Sequence, residues 1–281
     1  MIEERWSQGK FVCVGLDSDF DKIPESAHVA RPVDLAVQRI IVSETIAEFN
    51  HSIVEATKDI VCAYKPNTAF YEAYGAEGIA ALHRTITDIH AIAPDVPVIL
   101  DAKRGDIGNT NKGYVKFTFD YLHADAVTVH PYLGIESLEP FLAKKDKGVF
   151  VLCRTSNPGA REFQDSSVYG EPLYRFVAGC VANRWNKNGN CGLVVGATYP
   201  EELNEIRGVA GDLPILIPGI GAQGGDLEKT VKAGRDSRGQ GMIINSSRGI
   251  IFASRRNTFA EAARRETQKL HNLIDQYRNE A

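Results

Sequence analysis

The chain is 281 residues long, 43% apolar and 24% charged, the composition of a globular protein long enough for two small domains or one large α/β barrel. Its formal net charge of −4 gives no general reason to bind nucleic acid or an anionic membrane surface. No apolar run approaches the roughly 18 residues of a membrane span, and the acidic start MIEERWSQGK lacks the apolar core of a signal peptide.

In chain order, short apolar runs at 11–16, 59–64, 96–100, 126–129, 149–153, 192–195, 215–217 and 242–244 read as strands. Each is continuous rather than alternating, the pattern of parallel strands covered on both faces. Between them lie stretches of 3.6-residue periodicity. Val37, Ile40, Ile41, Phe49 and Ile53 mark one stripe, and Ile79, Leu82, Ile86 and Ile89 the next. Leu173, Phe176, Val177, Cys180 and Val181 mark a third, and Ala263, Thr267, Leu270, Ile274 and Tyr277 a fourth. The intervals 136–143 and 200–206 allow only short helices. The repeat predicts an α/β fold, a (β/α)8 TIM barrel forming a single domain over residues 1–281. An open doubly wound sheet is the alternative, weakened because no G-x-G-x-x-G follows the first strand. The cysteines at 13, 62, 153, 180 and 191 form no C-x-x-C pair and mostly sit in apolar segments. Reduced core thiols of a cytoplasmic protein are expected.

A barrel places its chemistry just after each strand. The stretch 97–113, PVILDAKRGDIGNTNKG, carries Asp101, Lys103 and Asp106 directly behind an apolar run. Asp101 and Lys103, two apart, project to one side of a strand; a surface ion-pair cluster is the plain alternative. Strand one ends at Asp17, which either accepts from a sugar hydroxyl or starts a turn. Strand two ends at Lys65, whose ammonium needs an acid or anion in a barrel mouth, and Asp101 is the natural partner. After strand four, His130 is either an acid/base or a structural residue beside Pro131. After strand five, Thr155, Ser156 and Asn157 suit hydrogen bonding to a flat heterocycle or a simple turn. Strands seven and eight lead into Pro218-Gly-Ile-Gly-Ala-Gln-Gly-Gly225 and Asn245-Ser-Ser-Arg248-Gly249. Glycines allow close backbone approach to an anion, barrels frequently hold phosphate with these two loops, and Arg248 adds a bidentate grip. No His/Cys spacing of zinc type is present. Asp101 and Asp106 could hold Mg²⁺, but Lys103 between them already supplies positive charge, so no metal is expected.

With these residues in view, the chain resembles the orotidine 5′-phosphate decarboxylases, in their longer bacterial-type subgroup (type 2). The resemblance spans nearly the whole chain. It is carried by Gly15-Leu-Asp17, Lys65-Pro-Asn67, Asp101-x-Lys103-x-x-Asp106-Ile-Gly-Asn-Thr110, Ala124-Asp-Ala126-Val-Thr-Val, Arg154-Thr-Ser-Asn157, Pro218-Gly-Ile-Gly-Ala-Gln223 and Ser247-Arg248. It implies cofactor-free conversion of orotidine 5′-phosphate to UMP in pyrimidine synthesis, within a homodimer that shares its active sites. Lys65, Asp101, Lys103 and Asp106 would form an alternating charge array, with Asp106 and Thr110 donated across the interface. Asp17 would bind ribose, Ser156 would contact the pyrimidine, Gln223 and Arg248 would hold the phosphate, and Asn157 and Ser247 would also bind substrate. The resemblance assigns no role to the insertion 160–172. Competing readings are a Mg²⁺-dependent sugar-phosphate decarboxylase of the same superfamily, a class I aldolase with a Schiff-base lysine, and a phosphate-ligand-binding barrel without chemistry.

Overall fold

The structure, a computed structural model, describes residues 1–29, 35–221 and 225–280. Eight parallel strands form its centre: Val12–Gly15 (β1), Ala63–Lys65 (β2), Ile99–Arg104 (β3), Ala126–Val129 (β4), Gly148–Arg154 (β5), Cys191–Val195 (β6), Ile215–Pro218 (β7) and Met242–Ser246 (β8). They pair in the order β2-β1-β8-β7-β6-β5-β4-β3. Between β2 and β3 the ring closes through bridges Tyr64↔Val98 and Asn67↔Asp101, where the Tyr64 N–H donates to the Pro97 carbonyl at 3.1 Å and the Asp101 N–H to Pro66 at 2.9 Å. Closure removes the unpaired edges that an open sheet would expose. The expected (β/α)8 barrel is therefore the observed fold. β1, β4, β6 and β8 are buried along their whole lengths, the polar Thr128, Asn245 and Ser246 included.

Helices cover the barrel. Leu35–Thr57 packs against both Gly75–Ile92 and Phe259–Asn279, and Phe49 stacks on Phe259 at 5.1 Å. Ile41, Phe49 and Ile53 face the core, but Ile40 is 62% exposed. Ile40 lies about 100° around the helix from Ile41, outside the stripe that Ile41, Phe49 and Ile53 form. The side chain of Val37 lies outside the described residues. The second strand starts later than the apolar run predicts. Residues 58–60 form a turn and the strand begins only at Ala63, because the buried Arg5 takes the Val61 carbonyl with Nε at 2.9 Å and the Lys58 carbonyl with Nη2 at 2.7 Å.

The helix expected to be short at 200–206 runs Pro200–Ala210. Its inner stripe is Leu203, Ile206, Arg207 and Ala210, and Arg207 hides the pattern from a hydropathy reading. Arg207 is buried and donates to the carbonyls of Gly211, Leu213, Gly234 and Gly241; burial pulls its pKa down to about 10. The 160–172 segment holds the one-turn helix Arg161–Gln164 and an antiparallel pair, Ser167–Val168 with Glu171–Pro172. All five cysteines are buried and free. No helix among the described residues is long and apolar enough to cross a membrane.

Candidate active site

The C-terminal ends of the strands surround a cavity of about 450 Å³. Asp17, Lys65, Asp101, Lys103, Ser156, Asn157, Ser247 and Arg248 all line it, so residues spread over more than two hundred positions converge on one space. Asp106 and Thr110 are not among its lining residues. Gln223, with Ala222 and Gly224, lies outside the described residues.

Strand β3 delivers Asp101 and Lys103 through a break in its ladder. β3 and β4 pair Ile99↔Ala126 and Leu100↔Val127, then resume at Arg104↔Val129. Two extra residues on β3 form a bulge, which bends the strand and re-aims its side chains. Lys103, within that bulge, has φ +47, a left-handed conformation uncommon for a residue with a Cβ. Its N–H donates to Thr128 Oγ1 at 3.0 Å, and the same hydroxyl donates to Asp101 Oδ1 at 2.8 Å. Gly105 then lets the chain pass His130, since a Cβ there would lie 2.7 Å from the His130 ring.

The charges alternate across the floor. Asp101 meets Lys65 Nζ through Oδ2 at 3.0 Å and Lys103 Nζ through Oδ1 at 2.7 Å. Lys65 Nζ also lies 3.9 Å from Asp17 Oδ1. The Lys65 side chain is 3% exposed, Asp101 12% and Lys103 49%, so the array runs from a sealed end to an open one. Burial alone would discharge Lys65, but Asp101 and Asp17 beside it reverse the effect and hold the ammonium above its ordinary range. Burial alone would likewise protonate Asp101; Lys65 and then Lys103 overcome it and hold the carboxyl well below the usual range. Both groups are thus fixed in their charged forms.

Other polar groups line the wall. Asp17 Oδ1 and Asn245 Oδ1 are buried acceptors without a hydrogen-bond partner, and both residues line the cavity. Buried acceptors are costly to leave unsatisfied, and hydroxyl donors of a ligand would satisfy them. Gly15 permits this corner to close, since a Cβ there would stand 2.7 Å from Ser247 Cβ and 3.2 Å from Asn245 Oδ1. Gly219, which lines the cavity together with Arg248, and Gly221 adopt φ +109 and +84. Asp106 instead serves its own loop. Its Oδ1 accepts from the Ile107 N–H at 2.7 Å, while the buried Asn111 bonds both its N–H and its carbonyl. Among the described residues, no group of three or more His, Cys, Asp or Glu is placed to hold a metal ion.

Residues 10–263 match the family described as Orotidine 5'-phosphate decarboxylase / HUMPS family. The chain belongs to that family. It is 50% identical to the orotidine 5'-phosphate decarboxylase of Cupriavidus necator over 268 residues, covering 95% of this chain and 93% of the relative. It is also 50% identical to that of Azoarcus sp. over 279 residues, covering 99% and 98%. Among solved structures, Leishmania donovani OMP decarboxylase superposes with a TM-score of 0.80 at 38% identity, covering 98% of this chain and 97% of that one.

Within this decarboxylase-family barrel, the structure adds residues to those that sequence reasoning singles out. Thr128 sits mid-strand in a run that reads as β-branched core, and only the fold shows its hydroxyl between Lys103 and Asp101. Asn245, the penultimate residue of β8, is visible in the sequence only as the start of the run to Arg248, and the fold shows its buried, unpartnered Oδ1. Asn67, visible within the Lys65-Pro-Asn67 motif, places Nδ2 3.5 Å from Asp101 Oδ2.

Proposed function

We propose that the chain decarboxylates orotidine 5′-phosphate to UMP, the last step of de novo pyrimidine nucleotide synthesis, with Lys103 as the proton donor. The observation that carries the assignment of roles is the Lys65–Asp101–Lys103 array, with Lys65 and Asp101 held in their charged forms, at one end of a cavity that Gly219, Ser247 and Arg248 also line. The C6–carboxylate bond breaks, its electron pair stays on C6 and CO2 departs. No adjacent carbonyl can take up that pair. Stabilisation therefore falls to charges already in place, which need no reorganisation as the carbanion develops. The Lys103 ammonium lies beside C6 and gives it a proton, then regains one from solvent.

Asp101 sits near the leaving carboxylate. Two like charges about 4 Å apart repel by roughly 4 kcal/mol at an effective dielectric near 20, and Lys103 stabilises the charge that develops as the carboxylate leaves. Asp17 accepts from ribose hydroxyls, and Ser156 and Asn157 face the pyrimidine. Gln223, Ser247 and Arg248 hold the phosphate. That grip is remote from C6, yet its binding energy orients the base over Lys103.

Asp106 and Thr110 act in a neighbouring subunit's site, making the enzyme a homodimer. Support comes from their position off their own cavity and from the apolar surface around them. Ile107 is 61% exposed, and Tyr132 and Leu133, on the adjoining loop after β4, are 83% and 43% exposed. Such side chains are expected where a subunit packs. The setting is cytoplasmic, in keeping with buried free thiols.

Loss of orotidine 5′-phosphate absorbance with purified protein in EDTA tests the activity. A Mg²⁺-requiring sugar-phosphate enzyme of the same barrel would fall silent under the chelator, and an aldolase would be trapped by borohydride with a ketose phosphate. Lys103→Ala should lower turnover by at least about 10³-fold, removing proton donor and charge stabiliser together, while UMP binding stays measurable. Near-normal turnover in that variant would refute the role of Lys103.

A further inference from the structure

The segment 160–172 takes no part in the reaction just described, yet it grips the loop at the base end of the cavity. Two consecutive residues at the end of β5 are held by two consecutive residues of the segment. The fully buried Arg154 pairs with Asp165 at 2.7 Å and, through Nε, with Glu202 at 2.6 Å, while the Tyr199 ring covers its guanidinium at 4.7 Å. One residue on, Gln164 Oε1 accepts the Thr155 backbone N–H at 2.9 Å and Gln164 Nε2 donates to Thr155 Oγ1 at 2.8 Å. That hydroxyl donates onward to Asn157 Oδ1 at 2.7 Å. A single amide thus fixes the backbone and side chain of Thr155 and, through them, the Asn157 side chain.

The gripping element keeps its own shape. Its two short strands turn at Tyr169 and Gly170, with φ +51 and +88, the positive pair that a tight hairpin turn requires. The Leu173 N–H closes it onto the Ser166 carbonyl at 2.9 Å. On the loop's other side stands Gly196, where a Cβ would come within 2.8 Å of Ser156 Cβ. The 155–157 loop is therefore wedged between the segment and the end of β6. A run of Thr, Ser, Asn, Pro and Gly has many accessible turn conformations, and ordering it on binding would weaken affinity.

We propose that Gln164 is a positioning residue for pyrimidine recognition and that the 160–172 segment is a splint holding the 155–157 loop in its base-facing form. The proposal rests on the reading that this loop, through Ser156, faces the base. Gln164→Met keeps the length of the side chain and loses both hydrogen bonds. The Kd for UMP should rise about tenfold in that variant. The Kd for ribose 5-phosphate, which offers the same sugar and phosphate without a base, should stay within about twofold. Gln164→Glu still accepts from the Thr155 N–H but cannot donate to its hydroxyl, which then turns to the carboxylate and releases Asn157; an intermediate loss for UMP alone is expected. Equal weakening of both ligands, or unchanged UMP binding in Gln164→Met, overturns the splint. Ser156→Ala separates the two ideas. If it shifts the ratio of the two dissociation constants and Gln164→Met does not, the splint fails and the base contact stands. If it leaves the ratio unchanged, the base contact fails and the splint falls with it.

Discussion

Lys103, the proposed proton donor, has a left-handed backbone, φ +47, and the Thr128 hydroxyl accepts its N–H while donating to its ion-pair partner Asp101. Strain of this kind persists only where neighbours over-determine it. Thr128→Val removes the hydroxyl at nearly constant shape, so kcat should fall by about tenfold to a hundredfold through misplacement of Lys103, with the Kd for UMP near that of the wild type. Thr128→Ser should restore most of the loss, and steady-state kinetics beside a UMP titration would show it. An unaltered kcat in Thr128→Val would remove Thr128 from the mechanism. Asp101 has a stability consequence as well. Its depressed folded pKa contributes stability that is complete above the unfolded value of about 3.9 and lost as pH falls through the folded value. The raised pKa of Lys65 contributes below about 10.4 and is lost as pH rises through its folded value. Asp101→Asn leaves Lys65 buried with only the more distant Asp17, which should cost about 3 kcal/mol. In urea melts the gap from wild type should be flat from about pH 4 to pH 10 and narrow on either side; a gap independent of pH would contradict the ion-pair account.

At the scale of elements, what the sequence makes visible is decided by where polar groups stand. The strands announce themselves because both faces of each are covered, leaving apolar runs, and charged residues directly after such runs are conspicuous. That is why Asp17, Lys65, Asp101 and Lys103 are readable before any coordinates. The bulge that aims Asp101 and Lys103 is silent in the same sequence: residues 96–100 end the apolar run, while β3 continues to Arg104 as a strand of charged residues bent around Thr128. Buried arginines mislead in the opposite direction. Arg207 occupies an inner position of its helix to satisfy carbonyls, and Arg5 unwinds the predicted start of β2 by satisfying the carbonyls at 58 and 61. Hydropathy counts each as surface. The Gln164–Thr155 contact is invisible for another reason, since its bonds join segments whose proximity depends on the fold of an insertion.

For the whole molecule, the position of Asp106 decides how many chains make one site. If Asp106 and Thr110 serve a neighbour, each site takes Lys103 from one subunit and Asp106 from the other. Lys103→Ala and Asp106→Ala homodimers should then both be inactive, the first losing its proton donor in every site and the second its interface acid. In a heterodimer of the two, one site lacks both groups and the other is intact. Random reassembly of equal amounts gives half heterodimers with one of two sites whole, so about a quarter of wild-type activity should return on mixing under subunit exchange, by the symmetry of a two-fold interface. Dilution below the dimer dissociation constant should remove it again, tracked by sedimentation alongside the absorbance assay. A barrel that used its own Asp106 would give no recovery on mixing, because each subunit would carry its lesion into its own site.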